Sequence, residues 1–78
     1  MTQYYIIEIK RNVAGELEHN VEWAFDQDPN QAKLKGESLY YAKLSEAAIS
    51  TYLSHSVTLI SDTGDPCMNR CYYHEVTE

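Results

Sequence analysis

Tyrosine pairs and scattered cations are the side chains of this chain best suited to holding a ligand. Seven tyrosines occur in 78 residues, grouped as Tyr4-Tyr5, Tyr40-Tyr41 and Tyr72-Tyr73, with Tyr52 alone. Neighbouring residues of a strand face opposite sides, so each strand pair supplies one ring to the core and one to the outside. Tyr5 and Tyr40 are the expected core rings, with their hydroxyls at its edge. Tyr4 and Tyr73 are expected to point outward, where a ring packs in a subunit interface or stacks on a base. Lys10, Arg11, Lys43 and Arg70 are the cations able to meet phosphate. Arg11 and Arg70 fall near strand ends, and guanidinium offers phosphate paired donors in a fixed fork. The candidate ligand-binding set is Tyr4, Arg11, Tyr41, Lys43, His55, Arg70 and Tyr73.

Other chemistry is less well furnished. Cys67 and Cys71 stand four apart in Cys67-Met68-Asn69-Arg70-Cys71, which is not the two-residue spacing of redox or zinc-knuckle pairs. A disulfide across this turn is geometrically open, although reduced thiols are the default where no export signal is present. Zinc held by both thiols and two of His19, His55 and His74 would lack any local ligand spacing; neither a metal nor a cofactor is expected. His55 lies on an apolar strand face beside Val57, where the plain reading is a buried histidine with one hydrogen bond and the sharper one is a ligand or general base. No serine or cysteine has a base close in sequence, no glycine-rich phosphate loop exists, and no paired carboxylates stand out. No catalytic residue is assigned, and the chain is not expected to be an enzyme.

The elements that must position these groups follow the order strand, strand, helix, strand, strand. Gln3 to Arg11 alternates, with Tyr5, Ile7 and Ile9 on one side and Tyr4, Ile6, Glu8 and Lys10 on the other. Asn12 to Glu16, with Gly15, reads as a hairpin loop. Leu17 to Phe25 alternates more strictly: Leu17, His19, Val21, Trp23 and Phe25 oppose Glu18, Asn20 and Glu22, and Trp23 is expected in the core. Asp28-Pro29-Asn30-Gln31 reads as an N-cap, a first-turn proline and a capping-box partner. The helix that follows is expected to run to about Ser50, with Ala32, Gly36, Leu39, Tyr40, Lys43 or Leu44, and Ala47 on one connected stripe. Gly36 costs about 1 kcal/mol of helix propensity relative to alanine, which a close approach to the sheet or to a neighbouring helix would explain. A third strand, Leu53 to Ser61, carries Leu53, His55, Val57 and Leu59 on one face. Asp62-Thr63-Gly64-Asp65-Pro66 is a turn, and a fourth strand is expected from about Asn69 to Val76. The fold class is α+β: one domain over 1–78, an antiparallel sheet of about four strands with one helix on one face.

The residues Tyr4-Tyr5-Ile6-Ile7-Glu8-Ile9, the Gly15 hairpin, Tyr40, Ala47-Ala48-Ile49-Ser50, His55 and Asp62-Thr63-Gly64 together resemble a group of small orphan proteins. These are carried by phages and prophages of gut Firmicutes. The segment from Cys67 to Cys71 departs from that pattern. The resemblance implies an accessory viral origin and a counter-defence role, either sequestering a host signalling nucleotide or blocking a host defence protein. It assigns no catalytic residue.

Composition narrows the rest. Twelve acids against six basic residues leave a net charge of −6, which opposes direct binding to nucleic-acid backbone. No apolar run approaches the ~20 residues needed to span a bilayer. Met1-Thr2-Gln3 leads straight into a strand without a leader pattern, so a cytoplasmic protein with no membrane partner is expected. One helix buries one face of the sheet, and the other must be polar or must meet another molecule. The expected answer is a homo-oligomer, a dimer or higher, pairing through an open face with Tyr4, Ile6, Ala24 and Ile60, or through the helices. The leading functional expectation is non-catalytic capture of a small anionic nucleotide at a subunit interface. The alternative is an acidic interaction module that inhibits a host defence protein, including by nucleic-acid mimicry. Tyr41, Lys43 and His55 form the second choice of pocket, on the helix side.

Overall fold

A computed structural model describes residues 2–74. It contains β1 (Thr2–Arg11), β2 (Leu17–Asp26), α1 (Pro29–Ala48), β3 (Ser54–Ser61) and β4 (Pro66–Tyr73). The strands form one sheet in the order β2-β1-β3-β4, antiparallel throughout. The expected ββαββ order and α+β class hold. The helix starts where its cap predicts: the Asp28 carboxylate accepts a 2.9 Å hydrogen bond from the Asn30 amide, with Pro29 in the first turn. It buries Ala32, Gly36, Tyr40 and Ala47, four members of the expected stripe.

Gly36 explains itself by contact. A methyl group at this position would sit 2.9 Å from Tyr4 Cβ and 3.3 Å from Leu59 Cδ1. The glycine therefore lets the helix approach the sheet closely, at the cost of some helix propensity. Ile6, Val57 and Leu59 are the largest fully buried side chains, and Tyr4, Leu39, Leu44, Met68 and Tyr72 pack around them.

That contact reverses the expected faces of β1. Cross-strand neighbours share a face, and the register sets Ile6 opposite Leu59 and Glu8 opposite Val57. Since Val57 and Leu59 are core residues, Tyr4, Ile6 and Glu8 lie beneath the helix and Tyr5, Ile7 and Ile9 on the open side. Tyr4 is not an outward ring, and Tyr5 is not a core ring. Ile6 and Ala24 leave the expected open face, whereas Ile60 stays on it. On β2 the inversion is complete: Trp23, Phe25, Val21 and Leu17 are exposed rather than core. The cause is that β1 is apolar on both sides, so its alternation separates two faces without ranking them; β3 makes the choice through register.

The end of the chain also differs. The Asp62–Asp65 turn closes with Gly64 N–H donating to the Ser61 carbonyl and Ser61 N–H to the Asp65 carbonyl, both at 2.9 Å. Gly64 adopts φ 87°, which a side chain would oppose. Strand β4 then begins at Pro66, earlier than expected, because the first residue of an edge strand tolerates a missing N–H. The pairing shifts between Leu59 and Ile60, leaving Cys67 as the extra residue of a bulge. Val76 lies outside the described residues.

Candidate functional site

Two features of the described residues bear on function, and they lie on opposite sides of the sheet. Under the helix is a closed polar cluster. The Glu8 carboxylate, 3% exposed, pairs with His55 Nε2 at 2.8 Å and accepts from Asn20 Nδ2 at 3.2 Å. Lys43 reaches from α1 to Glu8 at 3.6 Å, Glu22 at 3.1 Å and Glu46 at 3.8 Å. The ring of Tyr52 meets His55 edge-on, with centroids 5.8 Å apart, and Lys10 lies 5.1 Å over the same Tyr52 ring. Burial pushes the Glu8 carboxyl up. The hydrogen bonds from His55 and Asn20 and the charges of Lys43 and Lys10 outweigh it, and the net shift is downward. Lys43 is held upward, first by its bond to Glu22 and against desolvation.

A glutamate on a histidine is the composition of an acid–base pair, but here both groups are 3% exposed. Two surface grooves among the described residues, of about 520 and 300 Å³, run along the seam of β2 and α1. Ala24, Leu34, Lys35, Ser38, Leu39 and Ala42 line the larger, and Val21, Glu22, Trp23 and Leu39 the smaller. Neither reaches His55 or Glu8. Glu8 and His55 form a charge pair that the fold buries, and the cluster meets solvent through Glu22, which lines the smaller groove.

The second feature is the open face of the sheet. Its rows, read across the strands, are Phe25–Gln3, Trp23–Tyr5–Ile60, Val21–Ile7–Thr58, His19–Ile9–Ser56 and Leu17–Arg11–Ser54. Beyond β3 the face continues through Asn69, Cys71 and Tyr73. Trp23 is 58% exposed and Tyr73 80%. Among the described residues, no aspartate or glutamate of the four strands projects from this face, and Arg11 is the one full charge on it. In a chain of net charge −6, that segregation is the most distinctive property of the surface.

The expected ligand set is split by these two sides. Lys43 and His55 come together, both on Glu8. Tyr4 lies beneath Gly36. Tyr41 is exposed on α1, edge-on to Tyr40 at 5.5 Å. Arg70 is on the helix side, 5.0 Å over the Tyr72 ring, so it does not meet Arg11. Arg11 and Tyr73 are on the open face and in one row, each opposite Ser54. His55 is the buried histidine with one hydrogen bond that the plain reading describes. Cys67 and Cys71 are free; both lie in β4 rather than across a turn, roughly 13 Å apart along an extended strand, beyond the reach of a disulfide. Three or more metal-ligating side chains do not gather anywhere among the described residues.

Sequence reasoning missed Glu8 as the centre of the buried cluster. Its parity with Tyr4 and Ile6 was visible, but its partners His55 and Lys43 lie on other elements. It also took the exposed β2 aromatics for core. No family model, curated protein or solved structure matches the chain, so the functional reading rests on the geometry.

Proposed function

We propose that this protein is a non-catalytic docking module whose working surface is the open sheet face. One observation carries the reading: Leu17, Val21, Trp23, Phe25 and Ile9 are exposed together on that face, with no acidic side chain projecting beside them among the described residues, on a chain of net charge −6. Contiguous apolar surface of this kind marks a site of association on soluble proteins, and tryptophan and tyrosine are the residues that most often carry interface energy. Such a face acts by covering or being covered, which needs no reacting group. Nucleotide capture keeps one observation in its favour, the shared row of Arg11 and Tyr73, which sets a phosphate-binding fork and a stacking ring at the rim of the same face.

Photocrosslinking in the producing cell tests the docking reading. A photoreactive residue at Trp23 should give discrete adducts, while one at exposed Leu34 on α1 should give few. Equal yields at the two positions, or none at Trp23, would overturn it.

A further inference from the structure

We infer that the occupant of the open face is a second copy of this chain, seated face to face so that each strand of the sheet lies over its own counterpart. This rests on the docking reading and names its partner. Strands about 4.8 Å apart and eight to ten residues long make the face roughly 19 by 30 Å, so two copies would bury on the order of 1,000–1,200 Å². That meets the ~1,000 Å² a specific interface requires, without help from any other surface.

The distribution of side chains sets the orientation. The apolar bulk is lateral: Phe25, Trp23, Val21 and Leu17 on β2, and Tyr5, Ile7 and Ile9 on β1. The β3 and β4 half mixes Ser54, Ser56, Thr58 and Asn69 with Ile60, Cys71 and Tyr73, and Thr58 Oγ1 is already bonded to Asn69 at 3.0 Å. A twofold axis along the strands would lay the aromatic and aliphatic side chains of β2 over the more polar half, β3 and β4. An axis along the cross-strand rows lays β2 over β2 and β1 over β1, so apolar meets apolar. The same axis brings Arg11 over the Gln3–Phe25 end of the second copy instead of over its Arg11, which avoids apposed like charges. The Val21–Ile7 row, at mid-strand, then lies on the axis, and each of its residues faces its own counterpart across a spacing of about 10 Å between sheets.

Sedimentation velocity over a concentration series, with two variants, tests this. The native chain should sediment as a dimer at tens of micromolar. Trp23→Lys should keep its circular dichroism and raise the dissociation constant by about a hundredfold or more. In a Cys67→Ser, Cys71→Ser background, Ile7→Cys should be joined to its counterpart by a short bis-methanethiosulfonate, which spans the roughly 10 Å between sheets that a direct disulfide does not. A native chain that stays monomeric at several hundred micromolar overturns the inference. So does a dimer indifferent to Trp23→Lys, which would mean pairing through the β2 edge or the helices, and a dimer that Ile7→Cys does not trap overturns the orientation. A monomer whose Trp23 position still crosslinks a different protein in the cell would sink the inference while the docking reading survives.

Discussion

Glu8→Gln should cost this protein a large share of its stability and reduce its sensitivity to acid. The carboxylate is 3% exposed and takes part in two hydrogen-bond contacts, with His55 and Asn20, besides the Lys43 ion pair at 3.6 Å. Hydrogen bonds to a charged group are worth about 1.5–3 kcal/mol, against about 0.5–1.5 kcal/mol between neutral partners. Neutralising Glu8 without changing its size therefore costs about 2–3 kcal/mol. A chain of this length is stable by roughly 4–12 kcal/mol in total. Because the Glu8 carboxyl is held below its ordinary value of 4.5, its contribution is present above that value and is lost as pH falls through the lower folded one. Urea titrations at pH 7 and at steps down to pH 3 should show the native chain weakening over that window and Glu8→Gln weakening less. Glu8→Leu should lose about 3–5 kcal/mol by leaving His55 unpaired, and adding His55→Leu should recover part of it, since a whole buried pair is replaced more cheaply than half of one. The reasoning is refuted if Glu8→Gln changes stability by under about 0.5 kcal/mol and keeps the native acid response.

Other expectations follow from the packing. Gly36→Ala should destabilise in spite of better helix propensity, because the new methyl meets Tyr4 Cβ at 2.9 Å; overpacking costs about 1–3 kcal/mol against a gain of about 1, and a rise in melting temperature would contradict the close-approach account. Tyr4→Ala should cost more than Tyr5→Ala in thermal unfolding of the monomer, since Tyr4 packs on the core beneath α1; equal losses would contradict the assigned faces. Asp28→Ala should cost about 0.5–2 kcal/mol by freeing the Asn30 amide, and helix content that survives to the same denaturant midpoint would count against the cap.

The layout of the chain was legible because its signals are local. The Asp28-Pro29 start, the glycine turns at Gly15 and Gly64, and the helix stripe from Ala32 to Ala47 each depend on residues a few positions apart. What escaped is non-local. A period of two divides a strand into sides, but β1 has apolar residues on both, and only its register with Val57 and Leu59 on β3 shows which side the helix covers. Glu8 was legible as a polar residue and illegible as a core one, because its partners His55 and Lys43 lie on other elements. The strict alternation of β2 was read as burial within the monomer; the same pattern equally describes a face that waits for another molecule.

Trp23 is the one tryptophan of the chain and lies within the proposed contact, one row from its axis, so its fluorescence measures the central claim directly. The emission maximum and acrylamide quenching of the native protein should be followed from millimolar to nanomolar concentration. The account predicts a blue-shifted, shielded indole at high concentration that becomes red-shifted and freely quenched on dilution, with the same midpoint as dissociation in sedimentation. An indole that is red-shifted and freely quenched at every concentration would contradict it.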